Sequence, residues 1–485
     1  MLSRRAIFSR IFSVGEIQRQ SLISFSGQIT LTIIGFLGTV YFARTVGAAA
    51  LGAYSLFMAY YSIIGMVTDG GFAGAATKKI SEGEEQNAYF SAFLCLRTLF
   101  TFVVLVALFI CRKYFVDLND AGIFLWLLIA LVLSVFYGAL YTGIAGLGKM
   151  GIYAVGTNLG EVSRVFFQII AVFLGYGVAG LAGGFVLGMA TAALFSYKFF
   201  EFHLVHFNWK HIKALSTFSF WLFLTSSGIL MYSYTDRVLI GYYLNNTEVG
   251  IYQIAIQLSS LASFATVALR STLWPKVSRW GKTGDIELIE KSLSKALIYS
   301  LALAVPAMTG GILLGKNLLY FLYAPEFSAA YLVLALVLVA QVVNVFQYLF
   351  TAYLGALGFQ KESFKATIVG AVGNVVLNLI LIPIMGINGA AFATLVTLAF
   401  NAFLAFIFLS KKIRIKIEYS NLLNIFIASC VMGFSVWVYL RLFTVSSTLM
   451  TIIPVFFGAL LYITLMLKID PNLNKEFQEI IMWKQ

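Results

Sequence analysis

The chain has 485 residues, of which 60% are hydrophobic and only 11% are charged, and its mean hydropathy is +0.91. These values lie far outside the range of soluble globular proteins and indicate a chain that resides in a lipid bilayer. The formal net charge of +13 does not indicate a nucleic-acid partner, because no loop is long enough to fold into an exposed basic domain.

About fourteen apolar windows follow one another along the chain, each near the roughly 20 residues that a helix needs to cross a bilayer. They are continuously apolar rather than alternating, which favours helices over a β-barrel because a helix satisfies its own backbone amides in lipid. The predicted fold is therefore an all-α integral membrane protein with about 14 transmembrane helices. The predicted spans are 20–43, 51–76, 88–111, 121–146, 151–174, 178–200, 217–243, 249–273, 296–315, 327–355, 363–384, 387–410, 420–440 and 448–467.

The N-terminal segment, residues 1–19, places Ile7, Phe8, Ile11 and Phe12 among arginines. This spacing suits a short helix lying on the cytoplasmic membrane surface, and a disordered basic tail is the alternative. The segment lacks the pattern of a cleavable signal peptide.

Lysine and arginine are distributed unevenly between the two sides of the predicted membrane. With the N-terminus inside, 24 of the 33 basic residues fall in cytoplasmic segments and five in outer loops. This bias follows the positive-inside rule and predicts a cell-membrane protein with both termini in the cytoplasm. Cys95, Cys111 and Cys430 lie in or at the end of spans without metal-ligand spacing, so neither a disulfide framework nor a metal site is predicted.

An internal repeat divides the chain into two lobes. Residues 47–54, "GAAALGAY", correspond to residues 245–252, "NNTEVGIY", and "GVAGLAG" from Gly177 corresponds to "GINGAAF" from Gly386. Spans one to six therefore repeat as spans seven to twelve, which predicts two pseudo-symmetric six-helix lobes plus two C-terminal helices. The predicted organisation is a cytoplasmic N-terminal segment 1–19, an N-lobe 20–200, a cytoplasmic linker 201–216, a C-lobe 217–410, spans thirteen and fourteen in 411–467, and a cytoplasmic tail 468–485.

Five segments, in their order and spacing, resemble one protein family across nearly the whole chain. These are "ARTVGAAALGAYSLF", "DGGFAGAATKKIS", "DRVLIGYYLNNTEVGIYQIA", "WPKVSRWGKTGD" and "GINGAAFATLV". They are similar to the polysaccharide transporter branch of the multidrug/oligosaccharidyl-lipid/polysaccharide flippase superfamily, which includes O-antigen flippases. Phe72 departs from the pattern, since the family more often has Leu there. The matching positions are Ala43, Arg44, Gly47, Gly52, Tyr54, Asp69, Gly71, Asp236, Gly250, Tyr252, Pro275, Gly386, Gly389 and Ala390.

The resemblance implies a fourteen-helix, two-lobed flippase that moves undecaprenyl- or dolichyl-linked sugars from the cytoplasmic to the outer leaflet by alternating access. The implied partners are a polyprenyl-diphosphate-linked glycan and membrane lipids, and the protein is expected to act as a monomer without a cofactor. A cation-coupled drug or metabolite antiporter of the same superfamily is the alternative. A membrane-embedded glycan polymerase or ligase is disfavoured because no sizeable outer loop is available to carry catalytic groups.

Ionisable residues within the spans are the candidate site, because a charge facing lipid costs at least about 2.5 kcal/mol at the helix centre. Arginine is suited to a substrate with a diphosphate, since its planar guanidinium binds phosphate oxygens in a bidentate manner. The predicted substrate-binding residues are Arg97, Arg164, Arg237 and Arg270, and the predicted ion-coupling residues or charge partners are Asp69, Glu161 and Asp236.

Structural explanations for these charges remain open alternatives. Glu161 and Arg164 are three residues apart on one helix face and so could simply neutralise each other. Asp236 and Arg237 are adjacent and point about 100° apart, so each needs a partner elsewhere. Arg270 lies near a helix end, where its side chain could extend to the interface. Asp69 could close a helix end or could bind a proton or Na⁺.

Overall fold

A computed structural model describes residues 16–416 and 418–469 of the chain. Side chains are described from Thr30 onward, except at positions 221, 224–226, 229 and 231. Most of the predicted N-terminal segment and the end of the predicted cytoplasmic tail, residues 1–15 and 470–485, lie outside the described residues.

The described residues form sixteen α-helices and no β-strand, which confirms the predicted all-α class. Short 3-10 or π-helical turns at Arg112–Tyr114, Leu261–Ser263, Leu318–Tyr323 and Pro325–Ala330 connect some of them. The helices are α1 Glu16–Asp69, α2 Phe72–Ser81, α3 Gln86–Ile110, α4 Val116–Asp120, α5 Phe124–Gly146, α6 Met150–Phe173, α7 Gly177–Tyr197, α8 Trp209–Tyr243, α9 Asn246–Ser260, α10 Phe264–Thr283, α11 Ile286–Asn317, α12 Tyr331–Ala356, α13 Gln360–Met385, α14 Ile387–Ser410, α15 Tyr419–Leu442 and α16 Thr448–Ile469.

Helix α1 covers the first predicted span, 20–43, and residues 51–69 of the second without an intervening loop. The predicted second span, 51–76, is interrupted at Gly70 and Gly71, both of which have positive φ, before α2 begins at Phe72. The two halves of α1 meet at a kink at Gly47, where φ is 77° and ψ is 177°. A side chain is strained at that positive φ, whereas glycine adopts it at little cost. The kink lies between the first two predicted spans, and the chain turns there at a single residue.

Eleven helical stretches of the described chain are long and apolar enough to cross a membrane, so the protein is a multi-pass membrane protein. Helices α6 and α8, which overlap predicted spans five and seven, are not among the eleven. Helix α6 carries Glu161 and Arg164, and α8 carries Asp236 and Arg237. The count of fourteen spans therefore stays a prediction.

The chain divides into two compact units, Met1–Ser227 and Gly228–Gln485. In the first unit α7 packs extensively on α6 and also contacts α5, while α2 packs on α3 and α5. In the second unit α14 packs on α12 and α13, α11 packs on α12, and α15 packs on α11 and α16. The predicted subdivision into lobes, linker and C-terminal pair stays a prediction.

In each unit, two polar side chains four residues apart on one helix form hydrogen bonds to a connecting segment. In the first unit Asn87 Oδ1 accepts a hydrogen bond from the His203 N–H at 3.0 Å, and Ser91 Oγ accepts one from the Val205 N–H at 3.0 Å. These acceptors lie four residues apart on α3 and hold the segment that follows α7.

In the second unit Glu290 and Ser294, four residues apart on α11, hold the segment that follows α14. Glu290 Oε1 accepts from the Arg414 N–H at 2.8 Å, and Ser294 Oγ donates to Glu418 Oε1 at 3.3 Å. Helices α3 and α11 thus each hold a connecting segment of their own unit, as the predicted internal repeat would require, and the repeat itself stays a prediction.

A charged cluster joins the start of α8 to the turn before α3. Glu85 binds Lys210 Nζ at 2.8 Å and lies 3.2 Å from Nε2 of the buried His211. It is the one non-glycine residue with positive φ, 46°, in the described parts of the chain. Hydrogen bonds from Lys210 and then from His211 lower the pKa of the Glu85 carboxyl.

Glu85→Gln is expected to reduce the thermal stability of the detergent-solubilised protein slightly at neutral pH. Because the folded-state pKa of Glu85 is lowered, its stabilising effect is present above the ordinary glutamate pKa of about 4.3 and is lost as the pH falls through the folded value. The effect should be small, since the Glu85 and Lys210 side chains are both about half exposed. The difference between the melting temperatures of the two proteins should therefore be constant from pH 7 down to about pH 4.3 and disappear only at lower pH, where the Glu85 carboxyl of the folded protein becomes protonated.

The adjacent substitution Glu84→Gln removes the same charge without removing a hydrogen bond to Lys210 or His211, and it serves as the control. An equal loss of stability in the Glu84 and Glu85 variants would show that net charge, rather than this cluster, is responsible.

Candidate functional site

The seven predicted site residues fall into separate clusters. In the first unit Asp69 lies at the end of α1, Arg97 on α3, and Glu161 and Arg164 on α6. In the second unit Asp236 and Arg237 lie on α8 and Arg270 lies on α10.

Arg97 and Asp69 form an ion pair between α3 and α1. Arg97 Nη1 donates to Asp69 Oδ1 at 2.8 Å, and Nη2 donates to the Ser134 carbonyl oxygen at 3.0 Å. Arg97 is 8% exposed, and a Cβ atom added at Gly138 would lie 2.5 Å from its Cζ. The absence of a side chain at Gly138 therefore makes room for the guanidinium. The partner of Arg97, a predicted substrate-binding residue, is thus Asp69, which was itself a candidate for ion coupling.

Arg164 pairs with Glu161 on the same face of α6, as their spacing predicted, with 2.5 Å between Nη2 and Oε2. Its Nη1 lies 3.5 Å from the Tyr54 hydroxyl, whereas its Nε has no hydrogen-bond partner. The Glu161 side chain is 51% exposed and that of Arg164 is 24% exposed. The pair is thus only partly buried, and Glu161 need not lose its hydration if Arg164 engages another anion.

Gln168, one turn beyond Arg164 on α6, links that helix to two others. Its Nε2 donates to the Tyr54 hydroxyl and to the Leu181 carbonyl oxygen, both at 2.8 Å. Gln168 is buried. Tyr54 is therefore held beside Arg164, which positions a hydroxyl next to the guanidinium.

Asp236 is buried and does not pair with its neighbour Arg237, as the sequence indicated. Its Oδ2 accepts a hydrogen bond from the Tyr252 hydroxyl at 2.7 Å and lies 3.5 Å from Thr394 Oγ1. Its Oδ1 has no hydrogen-bond partner. Among the described residues no ion pair is formed by Asp236, and its direct side-chain contacts are with hydroxyl groups.

A chain of amide side chains extends from Asp236 into α13. Asn374 Nδ2 lies 3.4 Å from Thr394 Oγ1, and Asn378 Nδ2 donates to Asn374 Oδ1 at 3.0 Å. Asn378 Oδ1 and the nearby α14 residue Asn401 have buried oxygens without hydrogen-bond partners. Carboxylate, amide and hydroxyl oxygens are the ligand types that hard cations prefer. In the described residues no group of three or more His, Cys, Asp or Glu side chains could hold a metal ion.

Arg237 and Arg270 contact aromatic rings instead of carboxylates. The Arg237 guanidinium lies 5.2 Å from the Tyr234 ring centroid and donates to the Ser233 carbonyl oxygen at 3.2 Å. The Arg270 guanidinium lies 4.2 Å from the Tyr348 ring and 5.8 Å from the Trp274 ring. Neither arginine forms an ion pair with any residue that the structure describes. An aromatic face stabilises a cation without neutralising it.

The hydroxyl and amide groups beside Arg164 and Asp236 were not predicted from the sequence. Tyr54 and Tyr252 close the two repeated segments "GAAALGAY" and "NNTEVGIY", and each contacts the buried polar cluster of its own unit. Their equivalent positions in the repeat were the available signal. Gln168 and Thr394 gave no such signal, because a single polar residue in an apolar helix has many explanations.

These helices and clusters define a multi-pass helical membrane protein with ionisable and amide groups inside its membrane-crossing segments. The chain belongs to the polysaccharide biosynthesis protein family, whose model matches residues 17–280. The MatE family model matches residues 222–380. These matches confirm the resemblance seen in the sequence.

Two curated relatives and two solved structures are similar over most of the chain. The probable low-salt glycan biosynthesis flippase Agl15 of Haloferax volcanii is 26% identical, covering 96% of this chain and 99% of the relative. The probable flippase AglR of the same organism is 22% identical, covering 96% and 99%. The inward closed structure of the lipid II flippase MurJ has a TM-score of 0.78 and 18% identity, covering 92% and 98%.

An inward-facing MATE multidrug transporter has a TM-score of 0.63 and 15% identity, covering 79% of this chain and 94% of that protein. At these identities the two solved structures establish the fold of this chain and nothing more.

Proposed function

We propose that the protein is a flippase that translocates a polyprenyl-linked oligosaccharide or polysaccharide precursor from the cytoplasmic to the outer leaflet by alternating access. Membership of the polysaccharide biosynthesis family and similarity to the probable flippases Agl15 and AglR support this assignment. It is a transporter rather than a catalyst, and it acts in the cell membrane as a monomer with both termini in the cytoplasm.

The observation that carries the proposal is that the four arginines differ in the groups they contact. Arg97 is neutralised by Asp69, and its guanidinium is almost fully enclosed. Arg237 and Arg270 contact aromatic rings and form no ion pair with the described residues, and Arg164 has a half-exposed partner. A glycan diphosphate crossing a low-dielectric region needs cations of this kind, because charge-assisted hydrogen bonds replace part of its hydration. Arg164, Arg237 and Arg270 are thus the proposed substrate-binding residues, and Arg97 is a positioning residue.

Coupling to Na⁺ or H⁺ is assigned to Asp236 rather than to Asp69. Asp69 is already paired with a cation, whereas one oxygen of Asp236 is buried without a partner. A small cation or a proton at Asp236 would neutralise the negative charge of this carboxylate. The adjacent Thr394 and Asn374 would then supply further oxygen ligands for a cation. The alternative function, a cation-coupled antiporter for drugs or metabolites, is favoured by the MatE match and the MATE-like fold of the same helices.

Cells that lack this protein are expected to accumulate a polyprenyl-diphosphate-linked glycan in the cytoplasmic leaflet. Mass spectrometry of lipid extracts measures the accumulation, and an impermeant glycan-modifying reagent applied to inside-out vesicles reports the leaflet. Re-expression of the protein should remove the accumulated lipid and restore the exported glycan.

If no lipid-linked glycan accumulates and the cells become sensitive to cationic drugs, the antiporter is the better assignment. Purified protein in proteoliposomes provides a second comparison, since a flippase moves a fluorescent lipid-linked glycan and an antiporter moves a soluble cation.

A further inference from the structure

A large apolar groove in the first unit has no part in the site described above. It encloses about 490 Å³ between α3 and α5 and is bounded at one end by Tyr197, Phe200 and Phe202. Its walls include Phe90 and Phe136. Binding sites for small molecules commonly enclose about 300–1,000 Å³, so the groove is large enough for a ligand.

The lining offers a ligand almost no hydrogen-bonding group. Thr101 is one of the few polar residues in the wall, and its hydroxyl already donates to the Arg97 carbonyl oxygen at 2.8 Å. A groove of this chemistry selects hydrocarbon and excludes a sugar or a phosphate.

The second unit shows that helix packing in this fold does not require such a groove. The equivalent place between α11 and α12, lined by Leu297, Leu301 and Phe346, encloses only about 10 Å³. Leu422 of α15 helps to close it, and α15 packs along α11. In the predicted repeat α3 corresponds to α11, since α3 holds the segment after α7 and α11 holds the segment after α14. Helix α15 belongs to the two helices outside the repeat, and the first unit has no counterpart of it among the described residues.

The dimensions of the groove suit a long chain lying along the membrane normal. Its lining on α3 runs from Phe90 to Leu105, which at about 1.5 Å per residue is a length of roughly 22 Å. This is most of a hydrocarbon core of about 30 Å. The aromatic end lies beside the segment after α7, on the predicted cytoplasmic side. A chain in the groove would therefore extend outward from a head group at the cytoplasmic surface.

The charge at this end fits a phosphate head group. Lys198 directly follows Tyr197, is exposed and forms no ion pair with the described residues, and Lys149 lies nearby in a pair with Glu201. Phosphate at the cytoplasmic surface and hydrocarbon below it are the two parts of a polyprenyl phosphate.

We propose that this groove binds the polyprenyl chain of the lipid carrier, holding the substrate on the cytoplasmic side of the first unit. This proposal rests on the proposed function, since it assigns a site to the hydrocarbon part of the same substrate. The chain would remain in hydrocarbon throughout, while the glycan diphosphate alone engages the arginines.

The test measures binding of polyprenyl phosphate without any sugar to the purified full-length protein. Val132→Trp and Thr98→Trp fill the groove from its two walls, and each is expected to weaken binding at least tenfold. Val103 is exposed on α3 but does not line the groove, so Val103→Trp adds the same bulk and should leave the affinity within about twofold of wild type. Melting temperatures of all variants report whether each one folds.

Photocrosslinking identifies the occupant directly. A polyprenyl phosphate with a photoreactive group in its chain should label α3 and α5. A phospholipid with the same photoreactive group in its acyl chain should not label these helices. Equal labelling by the phospholipid would make the groove a general lipid site and overturn the proposal. Crosslinks to a helix of a second copy, or wild-type affinity in both groove variants, would also overturn it.

The two proposals can fail separately. If polyprenyl phosphate labels the groove but no glycan is translocated, the groove assignment stands and the flippase assignment does not. If Val132→Trp translocates a lipid-linked glycan and binds its carrier as wild type does, the groove assignment fails and the flippase assignment stands.

Discussion

Asp236→Asn is expected to abolish the dependence of transport on Na⁺ or pH and to reduce transport itself to a basal rate. The substitution keeps the shape of the side chain and an oxygen that can accept from the Tyr252 hydroxyl, 2.7 Å away. It removes the negative charge that would attract a cation to the hydroxyl and amide groups around Asp236. Initial rates measured in proteoliposomes with imposed Na⁺ and pH gradients provide the readout.

The variant should fold, because Asp236 forms no ion pair with the residues that the structure describes. Removing its charge therefore breaks no ion pair among those residues. Asp69→Asn is the informative comparison, since it leaves Arg97 buried without its carboxylate and should destabilise the first unit. An unchanged ion dependence in well-folded Asp236→Asn protein would exclude coupling at this residue.

The all-helical membrane fold could be predicted from the sequence because it depends on composition and on the lengths of apolar windows. The internal repeat is a prediction from short motifs, and the contacts of Asn87 in the first unit and Glu290 in the second are of the kind that such a repeat would produce. The kink at Gly47 was less predictable, because a glycine at the end of an apolar window is equally consistent with a loop.

Pairing within the candidate site was predictable only where it is local. Glu161 and Arg164 lie three positions apart on one helix, so their contact followed from helix geometry. Asp69 and Arg97 are 28 positions apart on different helices, and nothing in their local sequence indicates which carboxylate approaches which guanidinium. The room for Arg97 depends on Gly138 of a third helix, a relation that only tertiary packing reveals.

The apolar groove could not have been predicted for the same reason. Its walls are ordinary lipid-facing residues in sequence terms, and the equivalent residues of the second unit are covered by α15. Whether such a face is filled or open depends on a helix far away in the chain.

Arg164→Ala is expected to reduce glycan export at normal expression below detection. Arg164 has an ion-pair partner, Glu161, but because the Glu161 side chain is half exposed, Arg164 can exchange this carboxylate for a substrate phosphate. Because Glu161 retains contact with solvent, the carboxylate left behind can stay hydrated, and the variant should fold. Arg164→Lys should restore only part of the export, since an ammonium group loses the bidentate geometry of the guanidinium. Export assays on intact cells, normalised to the amount of protein in the membrane, measure both variants.

The double substitution Glu161→Gln, Arg164→Gln decides between a binding role and a structural one. It removes both charges and keeps side chains that can hydrogen-bond to each other and to the Tyr54 hydroxyl, so a purely structural defect is relieved. Stable double-mutant protein without export would support phosphate binding by Arg164, because the cation for the diphosphate is still missing. Normal export by the double mutant would exclude that role and leave Arg237 and Arg270 as the candidates. Arg441→Ala, at an exposed arginine beside Trp437, should export normally and controls for the loss of an arginine as such.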